Sequence, residues 1–110
     1  MDEREKRVGL NEALFREVNE RIGDLQETNS SGSGDMLIIC ECGRVECTER
    51  LNVSTKEYVR TREDSRTFIV LPGHVIPDVE RVVRDGPGYE IVEKDPGGPA
   101  KLAEETDPRN

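Results

Sequence analysis

All three cysteines of this 110-residue chain lie in one short segment, CECGRVEC, which runs from Cys40 to Cys47. Residues two apart on an extended strand point to the same side, so Cys40 and Cys42 can converge on one point. Gly43 follows at once and lets the chain fold back without a Cβ clash, so that Cys47 can return to that point. The spacing therefore predicts a loop that offers three thiolates to one metal ion.

The fourth ligand is predicted to be His74, the only histidine of the chain, in the segment LPGH. A tetrahedral structural zinc site takes four nitrogen or sulfur ligands, and three cysteines with one histidine is a known set. The interval between Cys47 and His74 suits a helix followed by a returning strand. We predict one structural Zn²⁺ ion in a zinc-ribbon-like site with four ligands: Cys40, Cys42, Cys47 and His74.

Other interpretations of the cysteines stay open. Three buried free thiols would need no metal, but the charged neighbours of these cysteines are not typical of a core. An iron–sulfur cluster on the same four residues is a minor alternative, because the known cysteine spacings of such clusters differ. A thiol redox sensor or a metal-dependent enzyme would need an accessible reactive thiol or an open coordination position, and no pattern marks either. We expect a structural site and no enzyme.

Residues beside the cysteines are predicted to support the ion. Three thiolates and one Zn²⁺ leave a net negative charge, which nearby cations and backbone N–H groups can offset. Arg44, Arg50 and the backbone at Gly43 are the candidates.

Short strands and one helix are predicted to position these ligands. MLIIC and TFIVL are apolar runs typical of buried strands, and Ser54 with Glu57 forms a capping box that predicts a helix from Thr55 to about Arg62. Around Asp85-Gly86-Pro87-Gly88, two β-branched runs favour a hairpin, with a short helix over 77–84 as the alternative.

Residues 7–28 are predicted to form a separate amphipathic helix, with Asn11 as its candidate N-cap. Apolar residues recur at steps of four, four, four and three, which places them on one helical face. We call this face the α1 stripe; it consists of Leu10, Leu14, Val18, Ile22 and Leu25. The stripe is expected to bind a protein partner, a second copy or the chain's own body.

The predicted organisation is a small α+β, zinc-stabilised domain preceded by that helix. The helix occupies residues 1–28, a flexible linker of composition NSSGSGD occupies 29–35, and the zinc domain occupies 36–94. Residues 95–110 are rich in Pro, Gly and acids and are predicted to be a mostly disordered tail.

The charge balance disfavours some classes of function. The chain has 16 Lys and Arg against 24 Asp and Glu, a formal charge of −8. Affinity for nucleic acid or an anionic membrane needs a basic surface, so this balance disfavours both, and a nucleic-acid-binding zinc module is the least favoured reading. The sequence shows no apolar run of membrane-spanning length and no apolar leader, so we expect a cytoplasmic protein.

Several segments resemble a group of small uncharacterised actinobacterial proteins. The similar segments include LNEALFREVNERI, CECGRVECTERL, STKEYVR, PGH with VERVV, and YEIVEK. They cover roughly residues 7–94, with EETDPR again in the tail. The resemblance implies a shared metal site at the four ligands named above and implies no particular activity. Where related sequences often carry an acidic residue after PGH, this chain has Val75, and we assign that position no role.

Overall fold

The computed structural model describes residues 1–29, 34–44, 46, 47 and 49–109. Its elements confirm the predicted α+β class. In chain order they are α1 (Glu3–Asn29), β1 (Asp35–Ile39), β2 (Arg50–Ser54), α2 (Thr55–Arg62), β3 (Thr67–Val70), β4 (Glu80–Gly86), β5 (Tyr89–Lys94) and α3 (Gly98–Glu105). Most of the predicted linker, residues 30–33, lies outside the described residues.

The strands form two small antiparallel sheets. β1 pairs with β2, and the cysteine segment is the loop between them. The second sheet has the order β3-β5-β4. β4 and β5 form the hairpin expected around Gly88, so the alternative helix over residues 77–84 is not formed. β2 was not predicted, although Leu51 and Val53 are buried and alternate with exposed neighbours, which is the period-two pattern of a strand.

The two sheets meet where β1 ends. Cys40 extends the β1–β2 ladder, since its N–H donates to the Glu49 carbonyl at 2.9 Å. The next residue, Glu41, turns to β3 and donates its N–H to the Ile69 carbonyl at 2.9 Å. The predicted strands around MLIIC and TFIVL are therefore not partners within one sheet, but their ends lie side by side.

One apolar core unites the two sheets with α2 and α3. Two of the cysteines belong to it, so the candidate metal site lies at its margin. The members are Met36, Ile38, Cys40, Cys42, Leu51, Val53, Tyr58, Phe68, Ile69, Val70, Tyr89, Ile91, Val92 and Ala103.

α1 begins earlier than predicted. Asp2 Oδ1 accepts the Glu5 N–H at 2.8 Å, and Glu5 Oε1 accepts the Asp2 N–H at 3.0 Å, which is a reciprocal capping box. Because these contacts satisfy free N–H groups of the first turn, the helix starts at Glu3 and runs through Asn11. The prediction of Asn11 as the N-cap is wrong.

α1 packs on the rest of the chain through a polar face. The Asn19 side-chain amide bonds to both the N–H and the carbonyl of Ile39, at 2.9 and 2.8 Å. The buried polar residues of this face are Glu12, Arg16 and Asn19. The helix expected to stand apart from the domain is thus bound to it by the hydrogen bonds and ion pairs of this face, and of the stripe residues Ile22 also packs against the core.

The two short helices pack on different elements: α2 contacts β2 and β3, and α3 contacts α1 and β5. α2 has the predicted bounds, and the Ser54 hydroxyl caps it by accepting the Glu57 N–H at 3.1 Å. α3 lies in the segment predicted as a mostly disordered tail. The prediction of disorder is wrong for this segment, because α3 is anchored to the rest of the chain. Its buried Ala100 and Ala103 pack inward, and Arg16 donates to the Ala103 carbonyl at 2.8 Å near the helix C-terminus.

Candidate metal centre

The structure brings together the four residues predicted as metal ligands. One ligand atom from each of Cys40, Cys42, Cys47 and His74 lies within 4.8 Å of all the others. His74 Nδ1 is 3.5 Å from Cys40 Sγ and 3.7 Å from Cys47 Sγ. A tetrahedral zinc ion with Zn–S of about 2.3 Å and Zn–N of about 2.0 Å separates its S and N ligands by about 3.5 Å. The donor set therefore fits one tetrahedral ion.

Strand geometry places the first two cysteines. Cys40 and Cys42 point to one side of the extended chain at the end of β1, and both are buried. Glu41, between them, points to the opposite side, where its Oε1 accepts the Ile69 N–H at 2.9 Å. This alternation keeps the carboxylate away from the sulfur cluster.

A close approach at Gly43 lets the loop turn towards Cys47. A Cβ at Gly43 would lie 2.4 Å from Cγ1 of Val8 in α1. The Gly43 carbonyl accepts a hydrogen bond from the Asn11 amide at 3.0 Å. Beyond it, the Cys47 N–H donates to the Arg44 carbonyl at 3.0 Å and closes a turn. Only glycine leaves room for α1 to hold the loop in this position.

His74 is placed by the turn that follows β3. The His74 N–H donates to the Leu71 carbonyl at 3.0 Å, and Gly73 has a φ of 84°. Pro72 at the second position and a positive-φ glycine at the third are typical of a type II turn. The segment LPGH thus brings the imidazole back over the end of β3, beside the cysteine loop.

Backbone N–H groups surround the sulfurs. The Leu71 N–H donates to Cys40 Sγ at 3.2 Å. The N–H group of Arg44 hydrogen bonds to Cys42, and the N–H group of Glu49 hydrogen bonds to Cys47. Such donors favour thiolates over thiols, because they interact most strongly with the charged form.

Of the residues predicted to support the ion, Arg44 contributes its backbone N–H, while its side chain is exposed. Gly43 shapes the loop, and Arg50 is an exposed residue of β2.

The three thiols share protons and do not ionise independently. A hydrogen bond from Cys40 lowers the pKa of Cys42 to about 5, against the opposing effect of burial. The same interaction raises the pKa of Cys40, and burial raises the pKa of Cys47. One thiolate therefore forms readily, whereas three thiolates need a cation among them.

A buried ion pair that the sequence did not predict joins the cysteine loop to α2, and a hydrogen bond to the same carboxylate joins the loop to α1. Glu41 accepts from Arg62 Nη2 at 2.6 Å and from the Asn19 amide at 2.7 Å, and both members of the ion pair are buried. The sequence signal was the strand alternation, which turns the middle residue of C-x-C away from the two cysteine sulfurs and into the protein.

A second buried ionic cluster fixes α1 to the β4–β5 hairpin. Lys94 Nζ lies 2.5 Å from Glu12 Oε1 and 3.0 Å from Glu80 Oε1. Glu80 Oε2 also accepts the Ile76 N–H at 3.0 Å, two residues after His74. Burial, and then the interaction with Glu80, raises the pKa of Glu12 well above its ordinary value. Burial and the neighbouring Glu80 carboxylate therefore favour the protonated form of Glu12, while Lys94 opposes this effect.

The α1 stripe lies on the opposite face of the helix from these buried contacts. Leu10, Leu14, Val18 and Leu25 are exposed, and Ile22 packs partly against the core. The structure thus leaves most of the stripe available to another surface. Within the described residues, no helix is both long and apolar enough to cross a membrane.

Comparisons of the chain with protein-family models, curated proteins and solved structures found no match. The site must therefore be interpreted from its own geometry, and the resemblance to the actinobacterial group stays a prediction.

Proposed function

We propose that this chain is a small zinc-binding interaction or regulatory protein whose Cys3His ion is structural. The observation that carries the proposal is the convergence of four donor atoms within 4.8 Å, with His74 Nδ1 3.5 and 3.7 Å from two of the sulfurs, close to the S–N separation at a tetrahedral zinc ion. Soft thiolates and one imidazole form a ligand set that suits zinc.

The arrangement supports one ion over a cluster. In a two-iron cluster the ligands divide into two pairs, one pair on each iron. Here the His74 nitrogen lies at nearly equal distances, 3.5 and 3.7 Å, from sulfurs at the two ends of the cysteine segment. Such convergence on a single point favours mononuclear zinc.

The ligand set also supports a structural role over a catalytic one. Four protein ligands complete the tetrahedron, whereas a catalytic zinc site keeps one position for water or substrate. Cys40 and Cys42 are buried among the core residues. The ion would join the β1–β2 loop to the turn after β3, two segments that are far apart in sequence.

The interaction role rests on the α1 stripe. α1 is held to the body by its polar face, so the exposed leucines of the opposite face are not required for that packing. A row of exposed apolar side chains on a helix suits a helix–groove or helix–helix contact. The proposal includes a reducing compartment such as the cytosol, because the metal site needs three free thiols.

Two measurements on the full-length chain test the zinc proposal. Elemental analysis should give about one zinc per chain, with no stoichiometric iron. Mild alkylation of the zinc-loaded protein should label the cysteines slowly, since metal-bound and buried thiolates are protected. Rapid labelling of one cysteine with zinc still bound would favour the redox-sensor alternative.

A further inference from the structure

The α1 stripe is a row of mostly exposed apolar side chains along one face of the helix. Leu10, Leu14, Val18 and Leu25 are 47%, 57%, 38% and 65% exposed. Leu14, Val18, Ile22 and Leu25 line an open groove, with Glu17 and Arg21 along its edge. Residues 7–25 extend for about 27 Å at the rise of an α-helix, which is long enough for a helix–helix contact of several turns.

Charges along α1 point to a second copy as the occupant. Lys6 and Arg7 are exposed at one end of the stripe, and Asp24 is exposed at the other end, whereas Glu17 near the middle pairs with Arg21 of the same helix at 3.7 Å. An antiparallel pair of α1 helices places the basic end of each beside the acidic end of the other. A parallel pair would align like charges and also like helix dipoles.

The positions of the apolar residues fit the same arrangement. In an antiparallel pair centred on residue 16, Leu14 faces the partner's Val18, and Leu10 faces the partner's Ile22. Arg7 then faces the partner's Leu25, one position from the partner's Asp24. The stripe is therefore complementary to itself in shape and in charge, as a two-fold interface requires.

We infer that two copies of this chain associate through an antiparallel pairing of their α1 stripes. The inference rests on the proposed role of the stripe as a docking surface and names its occupant. The buried polar face of α1 stays with its own chain, so the dimer forms without exchange of the helix and without change at the metal site.

The test is sedimentation or light scattering of the full-length, zinc-loaded chain over a range of concentrations. We expect a dimer, and we expect Leu14→Glu to raise its dissociation constant at least tenfold, since it places a carboxylate in the apolar seam. Leu37→Glu is the matched control: Leu37 is 48% exposed, but it lies on β1 away from the stripe. This control should leave the dimer unchanged.

A charge exchange tests the antiparallel register. Lys6→Glu with Arg7→Glu should weaken the dimer, because both ends of each stripe then become acidic. Addition of Asp24→Lys to that variant should restore it. Loss without restoration, together with an unchanged fold, would contradict this register.

Zinc content measured on the same samples separates this inference from the proposed function. A zinc-loaded chain that stays monomeric overturns the second copy as occupant, as does a dimer that is insensitive to Leu14→Glu. A chain without zinc would overturn the metal proposal, while the Leu14 and Leu37 variants would still decide the dimer.

Discussion

At the level of single residues, Gly43 shows how closely α1 packs against the cysteine loop between β1 and β2. A Cβ there would meet Val8 Cγ1 at 2.4 Å, and the Gly43 carbonyl is held by Asn11. A glycine is therefore required at this position because α1 and the cysteine loop approach each other closely. The loop at Gly43 cannot shift away from α1 freely, because Cys42 and Cys47 on either side of it belong to the cysteine cluster.

We predict that Gly43→Ala destabilises the protein by about 1–3 kcal/mol, the usual cost of overpacking. The double variant with Val8→Ala should recover part of that loss, because it removes the methyl group that the new Cβ would strike. Chemical denaturation of the zinc-loaded proteins measures both values. Equal stabilities of Gly43→Ala and the unchanged chain would show that the contact is not close.

Glu41 is a second residue whose role depends on a distant partner. It is a buried carboxylate between two cysteines, and it accepts hydrogen bonds from Arg62, Asn19 and the Ile69 N–H. Removing its charge leaves the Arg62 guanidinium buried without a counter-ion.

We predict that Glu41→Gln costs about 3–5 kcal/mol of unfolding free energy, the range for breaking a buried pair by loss of one partner. The control is Asp64→Asn, which removes the partner of Arg66 in an exposed pair and should cost less than about 1 kcal/mol. Urea unfolding compares them. Similar small losses of unfolding free energy in both variants would contradict a larger contribution of the buried ion pair to stability.

At the level of elements, α1 buries a polar face and exposes an apolar one. Periodicity correctly predicted a helix with one apolar stripe, but the usual expectation that the stripe faces the core did not apply. Glu12, Arg16 and Asn19 are buried because they meet partners on β1, β5 and α3. Those partners lie far away in sequence, so no local pattern could identify the buried face.

The Glu12–Lys94–Glu80 cluster gives this packing a pH dependence. The pKa of Glu12 is raised by burial and by Glu80, so the folded chain holds a proton that the unfolded chain releases. The proton bound to Glu12 contributes its full stabilisation below the unfolded-state pKa of about 4.3. This stabilisation is lost as the pH rises through the raised pKa of Glu12 in the folded chain. Glu12→Gln should remove that loss, so its stability relative to the unchanged chain should increase with pH.

Urea unfolding of both proteins at a series of pH values measures this difference, and the pH dependence of zinc binding cancels in the comparison. Glu17→Gln, on the exposed side of the same helix, is the control and should show no such trend. A constant difference for Glu12→Gln at all pH values would contradict a raised Glu12 pKa.

At the level of the whole molecule, the four candidate metal ligands were more predictable than the fold around them. The convergence of Cys40, Cys42 and Cys47 follows from strand alternation and a glycine turn, and LPGH is a local turn that supplied His74. α2 and the β4–β5 hairpin also follow from local signals. β2 and α3 were missed because their apolar positions are few, and their stability comes from pairing with β1 and from contacts with α1.

A structural ion at this place should hold the whole body together. It would connect the β1–β2 loop with the end of β3, the same place where Glu41 joins the two sheets. We predict that a strong chelator unfolds the chain, because metal binding and folding are coupled in such domains. Circular dichroism should show loss of structure on chelation and recovery on addition of zinc.

The most direct test is the zinc content of the purified full-length chain beside two variants at its only histidine. We predict about one zinc per chain, loss of zinc in His74→Ala, and retention in His74→Cys, since four cysteines also form a closed tetrahedral site. Absence of stoichiometric zinc from the unchanged chain, or full retention of zinc in His74→Ala, would contradict a Cys3His site.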